Sequence, residues 1–266
     1  MPETRLERSS LVIVFDSAAV SGVSELAFSS GLTRSVCPHR LLWERRRDRH
    51  PAPAQNSDRG ATGEHISDGL HQPGHPTPPL FIAHLGQGVI IVVDTNTRGV
   101  LARISASGVH GVLAVPQLGK VYAAASDSAQ ALTIDTDTLQ VIARTHTGGT
   151  PDGFSYDSAN HRVFVSDETG DELTVLEAAS GLAIGAVKLG GEVGNNSYDP
   201  PSGRILALDQ THNQLDVINP MTLAVIARHH LGNCDHSHSL TLDSPTRRAF
   251  VACDGNNQLL TVTSTP

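Results

Sequence analysis

From residue 80 onward, short apolar runs and polar turns alternate with a fixed period. The segments "LFIAHLGQGVIIVVDTNTRGVLARI" (80–104), "VYAAASDSAQALTIDTDTLQVIART" (121–145), "VFVSDETGDELTVLEAASGLAIGAV" (163–187), "ILALDQTHNQLDVINPMTLAVIARH" (205–229) and "AFVACDGNNQLLTVTSTP" (249–266) share one plan. Each opens with a short apolar strand and passes a polar turn. It then enters an alternating strand such as "LTI" or "LDVI", turns again at Asp, Thr, Asn or Pro, and leaves through "VIAR"-like residues. The starts are spaced by 41, 42, 42 and 44 residues.

Between these segments lies one more short strand: "HGVLAV" (110–115), "DGFSYD" (152–157), "GNNSYD" (194–199) and "HSLTLD" (238–243). Four short strands in each unit of about 40 residues predict an all-β fold, a β-propeller of four-stranded blades. A β-sandwich would need the regular period to be accidental. The expected strands from residue 80 run three, then three sets of four, then three.

The stretches "VYAAASDSAQALTIDTDT" and "VFVSDETGDELTVLEAAS" resemble the YVTN-repeat, YncE-like β-propeller family, in which a V-Y-V-T-N strand is followed by a turn and a strand ending in I-D-T. The resemblance covers residues 80–266, about seventy per cent of the chain. It implies a propeller, usually of seven blades, of which about four and a half are visible here. Members are often exported or periplasmic, although no signal-peptide cleavage pattern follows "LVIVF" at 11–15. An incomplete ring would expose blade faces and strand edges, through which the protein would self-associate.

Residues 1–79 read differently. "SSLVIVFDSAAVSGVSELAFSS" (9–30) suits an isolated strand pair, whereas "RDRHPAPAQNSDRGATGEHISDGLHQPGHPTPP" (47–79) has no strand pattern and reads as linker or disorder, or as sequence altered by a shifted frame or misplaced start. This segment holds nine Arg and nine Asp or Glu, so the net charge of -8 belongs to residues 80–266, with 10 basic and 18 acidic residues. An acidic body opposes nucleic-acid binding. No run is long and apolar enough to span a membrane.

The repeat also predicts a register. The residue opening each inner strand falls fifteen positions before the one closing the next, which pairs His110 with Ala125, Asp152 with Asp167, Gly194 with Asp209 and His238 with Cys253. Cys234, just ahead of its strand, then approaches Cys253. The cluster "GNCDHSHSL" (232–240) is open to three readings: a Cys234–Cys253 disulfide, a Cys/His metal site with His236 and His238 as ligands, or two reduced cysteines beside capping histidines.

Inner strands face the channel of a propeller, so the residues that open them ring one mouth. The candidate ligand-binding residues are His110, Asp152, Glu192, Asn195, His236 and His238, with Asp235 in the adjoining loop. They suit a binding or scaffold module that receives a small ligand, a divalent metal or a loop of a protein partner. The competing class is a metal-dependent hydrolase or lyase, lactonase-like by analogy of fold, with His236 and His238 holding the metal and Asp152 as acid or base. Capping of tight turns explains the same residue types without any ligand. A second column, His84, Asp167, Asp209 and Cys253, has a structural role in this reading. The chain has no phosphate loop, G-x-S-x-G elbow or H-E-x-x-H.

Overall fold

The computed structural model describes residues 78–263, together with the backbone of a strand at 12–15. Its strands form five sheets. The first blade contains β1 (Val12–Phe15), β2 (Leu80–His84), β3 (Val89–Val93) and β4 (Val100–Ser105). The second contains β5 (Val109–Val115), β6 (Lys120–Ala125), β7 (Gln130–Asp135) and β8 (Val141–His146), and the third β9 (Pro151–Asp157), β10 (Arg162–Asp167), β11 (Glu172–Glu177) and β12 (Ala183–Lys188). The fourth is β13 (Val193–Asp199), β14 (Arg204–Asp209), β15 (Gln214–Asn219) and β16 (Ala224–His230); the fifth has only β17 (Ser237–Asp243), β18 (Arg248–Cys253) and β19 (Gln258–Thr263). The architecture is all-β, and no described helix is long and apolar enough to cross a membrane.

The turn between the third and fourth strands recurs for a chemical reason. Asp94, Asp135, Glu177 and Asn219 each end a third strand or directly follow it, and their side chains accept the N–H groups two and three residues on. Their carbonyls accept the N–H four residues on, from Arg98, Leu139, Gly181 and Leu223, which all have positive φ. A side chain that replaces the missing strand partner is what favours Asp and Asn at such turns.

Burial is organised between blades, not within them. Phe81, Ile90 and Val92 of the first blade pack against Val109, Val121 and Leu132 of the second. Tyr122 and Ala131 of the second meet Val163, Val165 and Leu176 of the third. Phe164, Leu173 and Val187 meet Val193, Ile205 and Ile218 of the fourth, and Leu206, Leu208 and Leu215 meet Leu240, Val251 and Cys253 of the fifth. Each blade is therefore buried on the faces that have neighbours. Polar links cross the same seams: the Tyr122 hydroxyl donates to the Ala178 carbonyl, and Arg247 pairs with Asp199 at 2.9 Å.

Two expectations are corrected. Val12–Phe15 is not half of an isolated pair: it occupies the innermost place of the first blade and runs parallel to β2, pairing Val12 with Phe81 and Phe15 with His84. The remainder of residues 9–30 and the linker reading of 47–77 lie outside the described residues. The inner-strand register is also one residue off throughout. Val109 faces Ala125, Pro151 faces Asp167, Val193 faces Asp209, and Ser237, not His238, faces Cys253. The cause is a β-bulge at the same place in all four strands, where two residues oppose one: His110–Gly111, Asp152–Gly153, Gly194–Asn195 and His238–Ser239.

Glycine in these bulges has a steric reason. A Cβ on Gly111 would overlap the Asp152 carbonyl oxygen of the next blade, and one on Gly194 would lie 2.7 Å from the His238 carbonyl oxygen. Inner strands thus approach backbone to backbone around the axis, closer than any larger residue allows.

Candidate functional site

The bulges set the site. By adding a residue, each re-aims the side chains that follow the strand entrance, and His110, Asp152, Asn195 and His238 all sit in one. All four are half-buried, as are Glu192 and His236 in the loops that lead into β13 and β17.

Their partners show which come together. His236 is held from two sides: its Nδ1 lies 2.6 Å from Asp254 Oδ1 and its Nε2 3.7 Å from Glu192 Oε2. Carboxylates only accept, so Nδ1 donates its proton to Asp254, and a second proton on Nε2 would place the positive ring between Asp254 and Glu192. The hydrogen bond to Asp254, reinforced by the charges of Asp254 and Glu192, raises the His236 pKa against the opposing effect of burial. His238 stacks beside His236 with ring centroids 6.5 Å apart, and its Nε2 lies 3.9 Å from Asp152 Oδ2. His110 Nδ1 lies 2.8 Å from the Gly108 carbonyl and 3.0 Å from Ser126 Oγ. The carbonyl can only accept, so the proton sits on Nδ1 and Nε2 is an acceptor when the ring is neutral.

One residue that sequence reasoning missed stands among these groups. Glu168 has its pKa raised, first by burial and then by repulsion from Asp152 and Glu192, while His238 and His110 act in the opposite sense. Those influences place Asp152, Glu168, Glu192, His110 and His238 in one electrostatic neighbourhood. Glu168 directly follows the structural column, at the position held by Ser126, Gln210 and Asp254 in the other blades. That column was the available signal, one residue beyond the one considered. Gln210 is 2% exposed and neither its side-chain nitrogen nor oxygen has a hydrogen-bond partner, while its backbone N–H donates to the Glu192 carbonyl at 2.8 Å.

Asn195 sits in the bulge of β13 with its Oδ1 against Gly153. Its neighbour Asn196 is the more deeply engaged: it accepts from the Ser155 hydroxyl and its Nδ2 makes a 2.9 Å bond to Ser166 Oγ, a buried network across the third and fourth blades. The structural column is tied down locally. Asp167 accepts from Gly149 and Gly170, and Asp209 from the His212 backbone and ring.

Cys234 and Cys253 are joined by a disulfide with Cα atoms 5.4 Å apart. It pins the loop carrying Asp235 and His236 to the end of β18, where Asp254 follows Cys253 and donates its backbone N–H to the His236 carbonyl at 3.2 Å. Among the described residues, no three His, Cys, Asp or Glu side chains are disposed to hold one metal ion. The two cysteine sulfurs are bonded to each other, and the His236 ring lies between two carboxylates.

Comparison with known proteins bears on the fold. Part of the hydrazine synthase of Kuenenia stuttgartiensis aligns at a TM-score of 0.61 and 15% identity, over 72% of this chain and 58% of that one. A dihydro-heme d1 dehydrogenase, NirN, in complex with DHE aligns at 0.59 and 15%, over 76% and 46%. A chain of the mitotic checkpoint complex aligns at 0.61 and 12%, over 68% and 59%. The chain thus spans about half the length of the solved chains it matches. These neighbours are β-propellers, and at such low identity they establish the fold class: this protein is built of propeller blades. No family model and no curated protein matches the sequence.

Proposed function

We propose that the chain is a YVTN-type propeller binding module whose channel mouth receives a positively charged group, carried by a small ligand or by a partner loop. The observation that carries this reading is that Glu168, half-buried, feels the carboxylates of Asp152 and Glu192, its pKa being raised first by burial and then by those charges. A cation entering there would relieve that repulsion. The buried, unpartnered amide of Gln210, in the same column as Glu168, offers both a donor and an acceptor. His110, His238 and Asn195 supply the remaining polar edge. The disulfide supports an oxidising compartment for such a module.

The pH dependence follows in sign. Deprotonation of Glu168, whose pKa is raised, and loss of charge from His236, also raised, both make the mouth more negative as pH rises. Affinity for a cation increases from pH 5.5 to 7.5. Calorimetric titration with agmatine and with a Gly-Arg-Gly peptide amide tests the reading, with magnesium and zinc in parallel. The expected result is saturable binding of at least one organic cation, weakened tenfold or more by Glu168→Gln. Tighter binding of a metal than of either organic cation, or indifference to Glu168→Gln, would overturn it. Preference for agmatine indicates a small ligand, and preference for the peptide a partner loop.

A further inference from the structure

The run that leaves each repeat unit, VLAR (100–103), VIAR (141–144), AIGA (183–186) and VIAR (225–228), lies in the outermost strand of the first four blades, at the opposite edge of each sheet from the inner strands of the channel. Every one of these runs holds a β-bulge. Val93 pairs with Val100 and Val92 with Ala102, which leaves Leu101 without a partner in β3. The same shift singles out Ile142 in β8, Ile184 in β12 and Ile226 in β16. All four are large and apolar, and all four are between 40% and 51% exposed, so the repeat sets one apolar side chain on the outer edge of each blade.

Charge is sorted along the same edges. None of the four outermost strands contains Asp or Glu, although residues 80–266 hold 18 acidic residues against 10 basic ones. In the third and fourth blades the basic side chains are engaged within the molecule: Lys188 pairs with Glu172 at 2.6 Å, and Arg228 lies 3.3 Å from Asp216 and donates to the Leu189 carbonyl at 3.0 Å. The first two blades differ. Arg103 and Arg144 stand two residues beyond Leu101 and Ile142, at equivalent places opposite Ile91 and Leu132. Both are exposed, and their side chains make no ion pair or hydrogen bond among the described residues. An acidic body thus presents two neighbouring blade edges that are apolar and positively charged.

We propose that the outer edges of the first two blades bind an acidic protein segment, whose apolar side chains settle on Val100, Leu101 and Ile142 and whose carboxylates pair with Arg103 and Arg144. The bulges and arginines oppose addition of a further strand to these edges, so side chains make the contact. Planar guanidinium groups suit carboxylates, which they hold through two parallel hydrogen bonds. The outermost strands carry no Trp or Tyr, the side chains that settle at a membrane interface, and this favours a protein over a lipid surface. The interaction is independent of cation binding at the channel mouth.

The test uses the full chain and a fluorescein-labelled peptide, GELDELLEEL, as the acidic apolar probe. Fluorescence anisotropy is expected to show saturable binding that weakens as salt is raised from about 50 to about 300 mM. A peptide with every Leu changed to Ser, and one with every acid changed to Lys, should each bind at least tenfold more weakly. In the protein, Arg103→Ser with Arg144→Ser, and separately Leu101→Ser with Ile142→Ser, should cause similar losses while circular dichroism stays unchanged. Arg204→Ser with Arg248→Ser removes the same charge from second strands of other blades and should leave binding intact. No binding of the parent peptide, equal binding of the Ser-substituted peptide, an equal loss in the charge-matched variant, or tighter binding to phosphatidylglycerol vesicles than to the peptide would overturn the proposal. The peptide controls and the vesicles decide the matter even if a variant fails to fold.

Discussion

Replacing Cys234 and Cys253 together by Ala, or reducing the native protein, should cost about 3 kcal/mol. The disulfide closes a loop with a sequence separation of 19. The chain-entropy relation for a loop of about 20 residues gives a stabilisation on the order of 3 kcal/mol at 25 °C, arising mainly in the unfolded chain. Both cysteines are also buried in the seam between the fourth and fifth blades, so the Ala pair loses a further amount on the order of 1 kcal/mol in packing. For a domain of this size, 3 kcal/mol corresponds to a fall in Tm of about 6–12 °C. Urea unfolding is measured on native protein with and without reductant, and on the Ala pair under both conditions. Reductant should shift the native midpoint down and leave that of the variant unchanged. Because Asp235 and His236 ride on the pinned loop, cation binding at the mouth should weaken in parallel. Identical midpoints for oxidised and reduced native protein would refute the reasoning.

Other consequences are as direct. Asp216 is fully buried between the third and fourth blades, with Arg228 at 3.3 Å and neither carboxylate oxygen hydrogen-bonded, and burial pushes its pKa up to about 6. An acid with a raised folded pKa destabilises the fold above that pKa, and the penalty is relieved as pH falls from about 6 toward its unfolded value. Asp216→Asn should therefore gain stability relative to the native chain at pH 7.5 and lose that advantage at pH 4.5, read from urea midpoints. Gly111→Ala should destabilise by about 1–3 kcal/mol through overlap with the Asp152 carbonyl, seen as a lower thermal midpoint. In NMR titration, His236 should ionise above pH 6.5, and Asp254→Asn should bring that value down.

The blade period, the four-strand plan and the polar turns were legible because each rests on local chemistry: alternation in the strands and an Asx-type cap at the end of the third strand. The register was legible only to within one residue. A β-bulge adds one residue to one strand, and a regular repeat carries that residue in every unit, so the spacing alone does not reveal that Ser237 and not His238 faces Cys253. The close approach of inner strands was written in Gly111 and Gly194, but a glycine read alone signals any turn. Glu168 was hidden for a related reason. "DETG" reads as an ordinary turn, and the charges of Asp152, Glu192 and two histidines, far apart in sequence, come to act on that carboxyl only in the folded chain. For Cys234 and Cys253, sequence spacing says nothing of oxidation state, whereas the structure has the sulfurs bonded.

The most direct measurement is a crystal structure of the protein grown with agmatine at pH 7.5. The account predicts density for a guanidinium or ammonium group bounded by the carboxylates of Asp152, Glu168 and Glu192, with His236 still bridging Asp254 and Glu192. A mouth without the organic cation, or one in which His236 has left Asp254 to coordinate a metal together with His238, would contradict it.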